Sequence, residues 1–395
     1  MSAPNVTMVG WVDPPQQRGT YNIITSCLAV LFLCSYKCFH MNVPSPKERQ
    51  AGWHKVKINK NLHVPYWPEG ALWRKLIRKS KWVLLIIVAP ELGVGLAASQ
   101  RAEAQLQLKE ALEAAPGWES WLTMSHAFYA TMGGIVGENG DPVELVEYVR
   151  RLQQADFKPD DGEGERPSYF VSEADIANLS KSDTLTKMLA VGQSLYLVVQ
   201  CIARRRVGLA YSLLELSTAL YTVCATTMYW LWREKPYDAQ HVTVFNKITL
   251  AHPRKRIKNI SEDLLNIIIY PEERMVFPAL LQYATATLFG GLHLLAWNWT
   301  FPDAKSSLCL WLWRGSSLGM VGLPFTIPVF MAVGAALGGP DTAWRYIISP
   351  LLIASLSLYM MCRLTIIGLV VYSLSHMPSG VYHIVPWTAY FPFIS

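Results

Sequence analysis

Apolar runs recur along the whole chain from Tyr21 onward, separated by polar segments. A transmembrane helix needs about 20 predominantly apolar residues. Of the 395 residues, 51% are hydrophobic and only 16% are charged. This balance argues against a soluble enzyme. It predicts an all-α fold: a polytopic transmembrane helix bundle of seven or eight spans with an acidic polar insert.

Spans are expected at Tyr21–His40, Trp82–Ala98, Thr186–Ala203, Val207–Trp232, Val276–Trp297, Ser316–Gly338 and Arg345–Ser373. Trp121–Val136, with His126 and two glycines, either crosses or re-enters. Charge helps to decide, because cytosolic loops are rich in Lys and Arg. Met41–Lys81 carries ten Lys/Arg against two acids, and Arg233–Glu273 contains "HPRKRIK". Both face the cytosol only if Trp121–Val136 crosses, which gives eight spans with both termini on the far side. "RRR" (Arg204–Arg206) then lies on the non-cytosolic side, which is the cost of that arrangement.

The chain divides into three regions. Residues 1–136 hold N-terminal membrane helices with a basic loop at 41–81. Residues 137–185 form the acidic insert, with "DDGEGE" at Asp160–Glu165 and helical spacing over Pro142–Ala155. Residues 186–395 hold C-terminal membrane helices with a basic loop at 233–275. Ser99–Ala114 has the spacing of an amphipathic helix. No internal repeat and no cleavable signal peptide stand out. Sequons occur at Asn5, Asn178, Asn259 and Asn298, of which the eight-span topology makes Asn5 usable. Six of the seven cysteines sit in apolar segments and suggest neither a disulfide framework nor a metal site.

Polar groups inside a membrane are costly and are functional candidates by default. Glu91 follows Pro90 within "VLLIIVAPELGVGLAA" (Val83–Ala98). Pro90 has no N–H and leaves the carbonyl of Ile86 without its helical partner. An acid there suits either proton donation from an uncharged state or a structural hydrogen bond. Glu215 lies deep in "AYSLLELSTALY", with Tyr211 one turn before it and Ser212 and Ser217 nearby. His126 and His293 are candidates to relay a proton, or are satisfied by a neighbour. Gly290 and Gly291 allow close approach of a helix or ligand, with Trp297 one turn beyond His293. Arg363 in the last span needs a counter-ion, and Glu91 or Glu215 would serve. There is no Walker A loop, dinucleotide fingerprint, HExxH, GxSxG or "DDxxD" box, and nothing suggests nucleic-acid binding.

Several stretches, in order, resemble a family of fungal polytopic integral-membrane proteins. They include "RGTYNIITSCLAVLFLC" (Arg18–Cys34), "HMNVP" (His40–Pro44), "RKSKWVLLIIVAPE" (Arg78–Glu91) and "LTMSHAFYATMGG" (Leu122–Gly134). "SKSDTLTK" (Ser180–Lys187), "QCIAR" (Gln200–Arg204), "LLEL" (Leu213–Leu216), "REKPYDA" (Arg233–Ala239), "FGGLHLLAWNWTFP" (Phe289–Pro302) and "LWR" (Leu312–Arg314) follow. Most members of that family are uncharacterised. A few resemble membrane-bound terpene cyclases of fungal meroterpenoid pathways of the ascofuranone, ascochlorin and macrophorin type. The resemblance implies cyclisation of a farnesylated aromatic or quinone, begun by protonating an epoxide or alkene. It carries no catalytic residues over. The chain departs from the family pattern at Lys305, Gly368 and Phe393.

The expectation is therefore an acid-initiated, class II-like terpene cyclase with no cofactor and no metal. Glu91, Glu215, His126 and His293 are the catalytic candidates, and Tyr211, Trp297 and Arg363 the substrate-binding ones. Its partners would be a lipophilic prenylated small molecule and membrane lipid, and its location the endoplasmic reticulum membrane. The alternative is a non-enzymatic receptor, channel or scaffold whose buried polar groups are structural. The sequence leaves the oligomeric state open.

Overall fold

The computed structural model describes residues 18–44, 48, 52–59, 62–155, 170–179, 184–237, 239, 241–245, 276–301, 307–336 and 348–386. "DDGEGE", "HPRKRIK", Asn5, Asn259, Lys305 and Phe393 lie outside them. The described residues form eleven α-helices and two small sheets, so the expected all-α fold gains four short strands.

The order is α1 (Thr20–Cys38), an antiparallel hairpin of β1 (Trp53–Asn59) and β2 (Leu62–Pro68), α2 (Gly70–Val88) and α3 (Pro90–Ala114). Next come α4 (Met124–Thr131), β3 (Ile135–Gly137), α5 (Leu145–Gln154), α6 (Glu173–Leu179), α7 (Thr184–Arg206), α8 (Leu213–Leu231) and β4 (Thr243–Phe245). The chain continues through α9 (Val276–His293), a 3-10 turn (Leu294–Ala296), α10 (Leu308–Ala336) and α11 (Ser349–Ser373). Thr20–Cys38, Val276–Ala296 and Pro350–Ser373 are long and apolar enough to cross a membrane, and α2 with α3 makes a fourth if counted as one unit.

Two polar clusters fix the ends of the bundle. At the first, the Arg18 backbone N–H donates to the Tyr382 carbonyl at 2.8 Å, and Arg18 Nε donates to the Val381 carbonyl at 2.8 Å. Arg204 is fully buried there and donates to the carbonyls of Ala210, Gly380, Val381 and His383. At the second end, Lys235 Nζ donates to the His40 carbonyl at 2.7 Å, Asn42 Oδ1 at 2.9 Å and Gln100 Oε1 at 2.7 Å. Tyr237 donates to the Tyr36 carbonyl at 3.2 Å, and Lys79 Nζ reaches the Tyr237 hydroxyl at 3.4 Å. Hence α1 and α8 run from the first end to the second, and α7 and α11 run back. The chain segments leading into both basic loops meet at one end. Arg204 is spent on carbonyls inside the protein, so it does not count as surface charge on either side.

Trp82–Ala98 is not one straight span. A proline without an N–H cannot continue the helix, and the residue before it is disfavoured in the helical region. Ala89 accordingly adopts φ −140° and ψ 75°, and Pro90 becomes the first residue of α3, where its missing N–H costs nothing. The two helices are bent by 115°. Lys79 of α2 and Gln100 of α3 both reach the second end, so the stretch between them enters the bundle and returns on the same side.

Trp121–Val136 holds no helix of membrane-crossing length. It holds an eight-residue helix, about 12 Å long, and then β3. Gly133, at φ 83°, ends the helix in a conformation that glycine adopts without strain. This region packs on the polar half of α3 with α5 and α6, around Phe128, Tyr129, Leu145, Tyr148 and Leu152. Part of the expected polar insert is thus a packed layer. β3 pairs in parallel with β4, which ties that layer to the chain after α8. The expected basic loop 41–81 contains the β1–β2 hairpin and the start of α2.

The paired glycines of α9 differ. A Cβ on Gly290 would lie 2.7 Å from Met320 Cβ and 2.8 Å from its backbone carbon, whereas one on Gly291 would meet nothing closer than 3.9 Å. Gly290→Ala should therefore cost about 1–3 kcal/mol by overpacking α9 against α10. Gly291→Ala should be neutral or slightly stabilising. Thermal unfolding of the purified variants checks the contrast, and equal losses would contradict it.

Candidate functional site

The break between α2 and α3 assembles a polar site inside the bundle. Ending α2 at Val88 leaves carbonyls open, and Arg363 of α11 donates through Nε to the Val88 carbonyl at 2.6 Å. A cation is favourable at a helix C-terminus and an anion at an N-terminus. Glu91, the second residue of α3, supplies the anion. Its Oε2 lies 3.4 Å from Arg363 Nη2, and its Oε1 accepts from the Tyr359 hydroxyl at 2.7 Å. Glu91 and Arg363 are 1% and 2% exposed, so the pair is buried. The Arg363 guanidinium also lies 3.7 Å from the Phe289 ring centre, a cation–π contact.

Beside this group is a small cleft, with room of about 40 Å³, between α3, α9, α10 and α11. Leu92, Ala286, Leu323, Ile327 and Leu356 give it an almost wholly apolar surface, and Glu91, Gln282 and Tyr359 are among its other lining residues. Three buried atoms here have no hydrogen-bond partner among the described residues: Glu91 Oε2, Gln282 Oε1 and Arg363 Nη1. Gln282 is held against Gly95 of α3, where any Cβ would collide with its side chain. A polar group of a ligand, or water, is the ordinary partner for such atoms.

Glu215 is placed differently. Arg18 donates to both of its oxygens, at 2.5 and 2.9 Å, and Glu215 Oε2 accepts from the Ser212 backbone N–H at 2.9 Å. The Ser212 hydroxyl accepts from the Glu215 backbone N–H at 3.1 Å, which completes a reciprocal capping box at the start of α8. The helix begins at Leu213, not Val207, so Glu215 sits in its first turn and not deep within it. Each acid has an arginine beside it, Arg363 for Glu91 and Arg18 for Glu215, whereas the sequence alone offers Arg363 to either.

The two histidines are fully engaged. His126 Nδ1 accepts from the Thr123 backbone N–H at 3.3 Å, which leaves Nε2 to donate to the Val171 carbonyl at 3.1 Å. His293 Nδ1 donates to the Phe289 carbonyl at 2.7 Å, and Nε2 accepts from the Ser217 hydroxyl at 3.1 Å. Each ring is a neutral link between two elements. His126 belongs to the polar layer, while His293 joins α9 to α8. Of the expected binding residues, Arg363 adjoins Glu91. Tyr211 precedes α8 and packs beside the core, and Trp297 is partly exposed beneath the Arg314 guanidinium, 4.7 Å from its ring centre. Neither lines the cleft. Sequence reasoning missed Tyr359, Gln282 and Arg18. The Ser212-Leu-Leu-Glu215 capping pattern was the available signal for Glu215, whereas Tyr359 and Gln282 carry none.

The fold and the site define a class: a mostly helical protein with helices of membrane-crossing length and a buried Glu–Arg–Tyr group at a break between two of its helices. Residues 1–251 match a family of unknown function, DUF8562, and the chain belongs to that family. No curated protein and no solved structure matches it.

Removing Arg18 leaves the Glu215 charge buried without its partner, so Arg18→Ala should cost about 3–5 kcal/mol. Glu215→Gln should lose less, because the amide oxygen still accepts the Ser212 N–H; thermal unfolding in detergent separates the two. His126 has its pKa below the ordinary histidine value of 6.5, because burial disfavours the charged ring. The unfolded chain then binds the proton more readily. His126 therefore contributes stability above about pH 6.5 that is lost as pH falls through the lower folded value. Melting temperatures from neutral pH down to about pH 5 should drop less steeply in His126→Gln than in the wild type.

Proposed function

We propose that the chain is a multi-pass membrane protein of the endoplasmic reticulum in which α1 and α7 to α11 cross the bilayer. In this arrangement α2 and α3 form a re-entrant pair with Glu91 at its tip. Its function, in this reading, is to bind a lipophilic prenylated aromatic or quinone in the cleft beside Glu91 and to cyclise its tail after protonating an epoxide or alkene. The observation that carries the proposal is the buried Glu91 carboxyl on the wall of a small, mainly apolar cleft, which in this reading seats only the reacting end of the tail while the rest lies between α10 and α11 or in lipid. The likeness to fungal meroterpenoid cyclases supplies the reaction class.

Glu91 is the proton donor in this reading: the Arg363 contact opens and the freed carboxylate takes up a proton from water before the substrate reacts. That contact is one 3.4 Å approach without a hydrogen bond, whereas Arg363 keeps Val88 and Phe289 without it. Tyr359 orients the carboxyl. The proton passes to the epoxide oxygen or alkene carbon, and the resulting cation is consumed by the next double bond. The last cation loses a proton from a neighbouring carbon to the Glu91 carboxylate, which restores the acid and leaves no net proton consumed.

The ion pair also favours a second reading, in which Glu91, Arg363 and Tyr359 hold the broken helix in place and the protein is a non-enzymatic receptor, channel or scaffold. Microsomes containing the protein and an epoxyfarnesyl phenol distinguish the two. The cyclase reading expects a cyclised product, and a loss of about a hundredfold or more in Glu91→Gln at equal membrane abundance. No product from the wild type, or undiminished product from Glu91→Gln, would leave the structural reading standing.

A further inference from the structure

The start of α2 is poorly covered by the rest of the protein. Trp73, Leu76 and Ile77 are 41%, 42% and 49% exposed and follow the spacing of a single helix face. Leu84 continues the stripe two turns later. Arg74, Lys75, Arg78, Lys79 and Lys81 occupy the remainder of the circumference. The same face continues into the hairpin: the Trp67 ring lies 5.9 Å from that of Trp73, and Trp53, Tyr66 and Trp67 are all exposed. Acids are few here. Glu48 pairs with Arg78 at 3.0 Å, and Glu69 precedes the helix. The segment is too highly charged to cross a membrane by itself. An apolar stripe flanked by cations, with Trp and Tyr beside it, is the pattern of a helix lying in the interface of a bilayer.

We infer that Gly70–Lys81 and the β1–β2 hairpin form a platform that docks on the anionic headgroups of the leaflet at the Lys235 end of the bundle. The aromatic rings and Leu76 and Ile77 enter the headgroup–acyl boundary, while Arg74 and Lys75 meet lipid phosphate and carboxylate. Charge complementarity selects an anionic leaflet over a zwitterionic one, because each cation near such a surface strengthens binding roughly fivefold. Docking also gives the re-entrant pair a fixed outer support, since α2 runs from the platform directly to the break before Glu91. The inference rests on the membrane reading and not on the cyclase reading.

The test uses the full chain in nanodiscs of phosphatidylcholine alone or mixed with phosphatidylserine, read by amide hydrogen exchange. Peptides covering residues 62–81 should exchange several-fold more slowly in the anionic discs, and less so at high salt. Arg74→Glu with Lys75→Glu should abolish that difference. Peptides from α11 should be equally protected in both discs, which shows that the protein is inserted. Equal exchange of residues 62–81 in the two discs with α11 protected would overturn the inference. So would a lipid dependence that survives the double substitution, or protection that follows protein concentration and not lipid charge, which would assign the face to a second copy of the chain.

Discussion

The break at Ala89–Pro90 is the constraint around which the central bundle is organised. A proline inside an apolar helix removes one donor, and interrupting the helix leaves several carbonyls and N–H groups without partners, which is expensive where water is scarce. The chain meets this cost with two side chains of opposite charge. Arg363 satisfies the Val88 carbonyl at the end of α2, and Glu91 stands at the positive end of α3. Each then serves as the other's counter-ion. Without the arginine the carboxylate would be a buried, unpaired charge, and without the break neither group would have a place.

The ends of the bundle use the same principle with different chemistry. At one end Arg18 and Arg204 gather carbonyls from the segment after α11 and the Glu215 carboxyl at the head of α8. At the other, Lys235 joins the end of α1 to α3. These cations act as multivalent hydrogen-bond donors that tie distant segments together, a geometry in which every donor meets an oxygen. The two neutral histidines do likewise on a smaller scale, each giving one proton and accepting one.

Among the described residues, Glu91 Oε2, Gln282 Oε1 and Arg363 Nη1 are buried without a hydrogen-bond partner and lie at or beside the cleft between α3 and α9 to α11, while others, such as Trp313 Nε1 and Ser317 Oγ, lie elsewhere. Small residues make room for that arrangement: Gly95 admits Gln282, and Gly290 admits the backbone of α10.

Periodicity and composition were enough to read helices at Tyr21–His40, Val276–Trp297 and Arg345–Ser373, the amphipathic second half of α3 and the helix within Pro142–Ala155, because each depends on local apolar spacing. Glu91 and Arg363 were also legible, since a charge in an apolar run is conspicuous wherever it ends up. What they do to each other was not. Arg363 is 272 residues from Glu91 in sequence, and only the packing of α11 against the break decides that Glu91, not Glu215, is its partner. Arg18 was invisible as a partner for the same reason: it lies before the first helix, and the segment that positions it comes from the far end of the chain. Trp121–Val136 stayed open between a crossing and a re-entrant segment because an apolar stretch of that length looks the same whether lipid or other protein surrounds it, and the structure gives it an eight-residue helix followed by β3. The sequence by itself determined which segments avoid water and where the helix must break. Tertiary structure alone decided which charges meet and which polar atoms stay unsatisfied, because those outcomes depend on contacts between residues far apart in the chain.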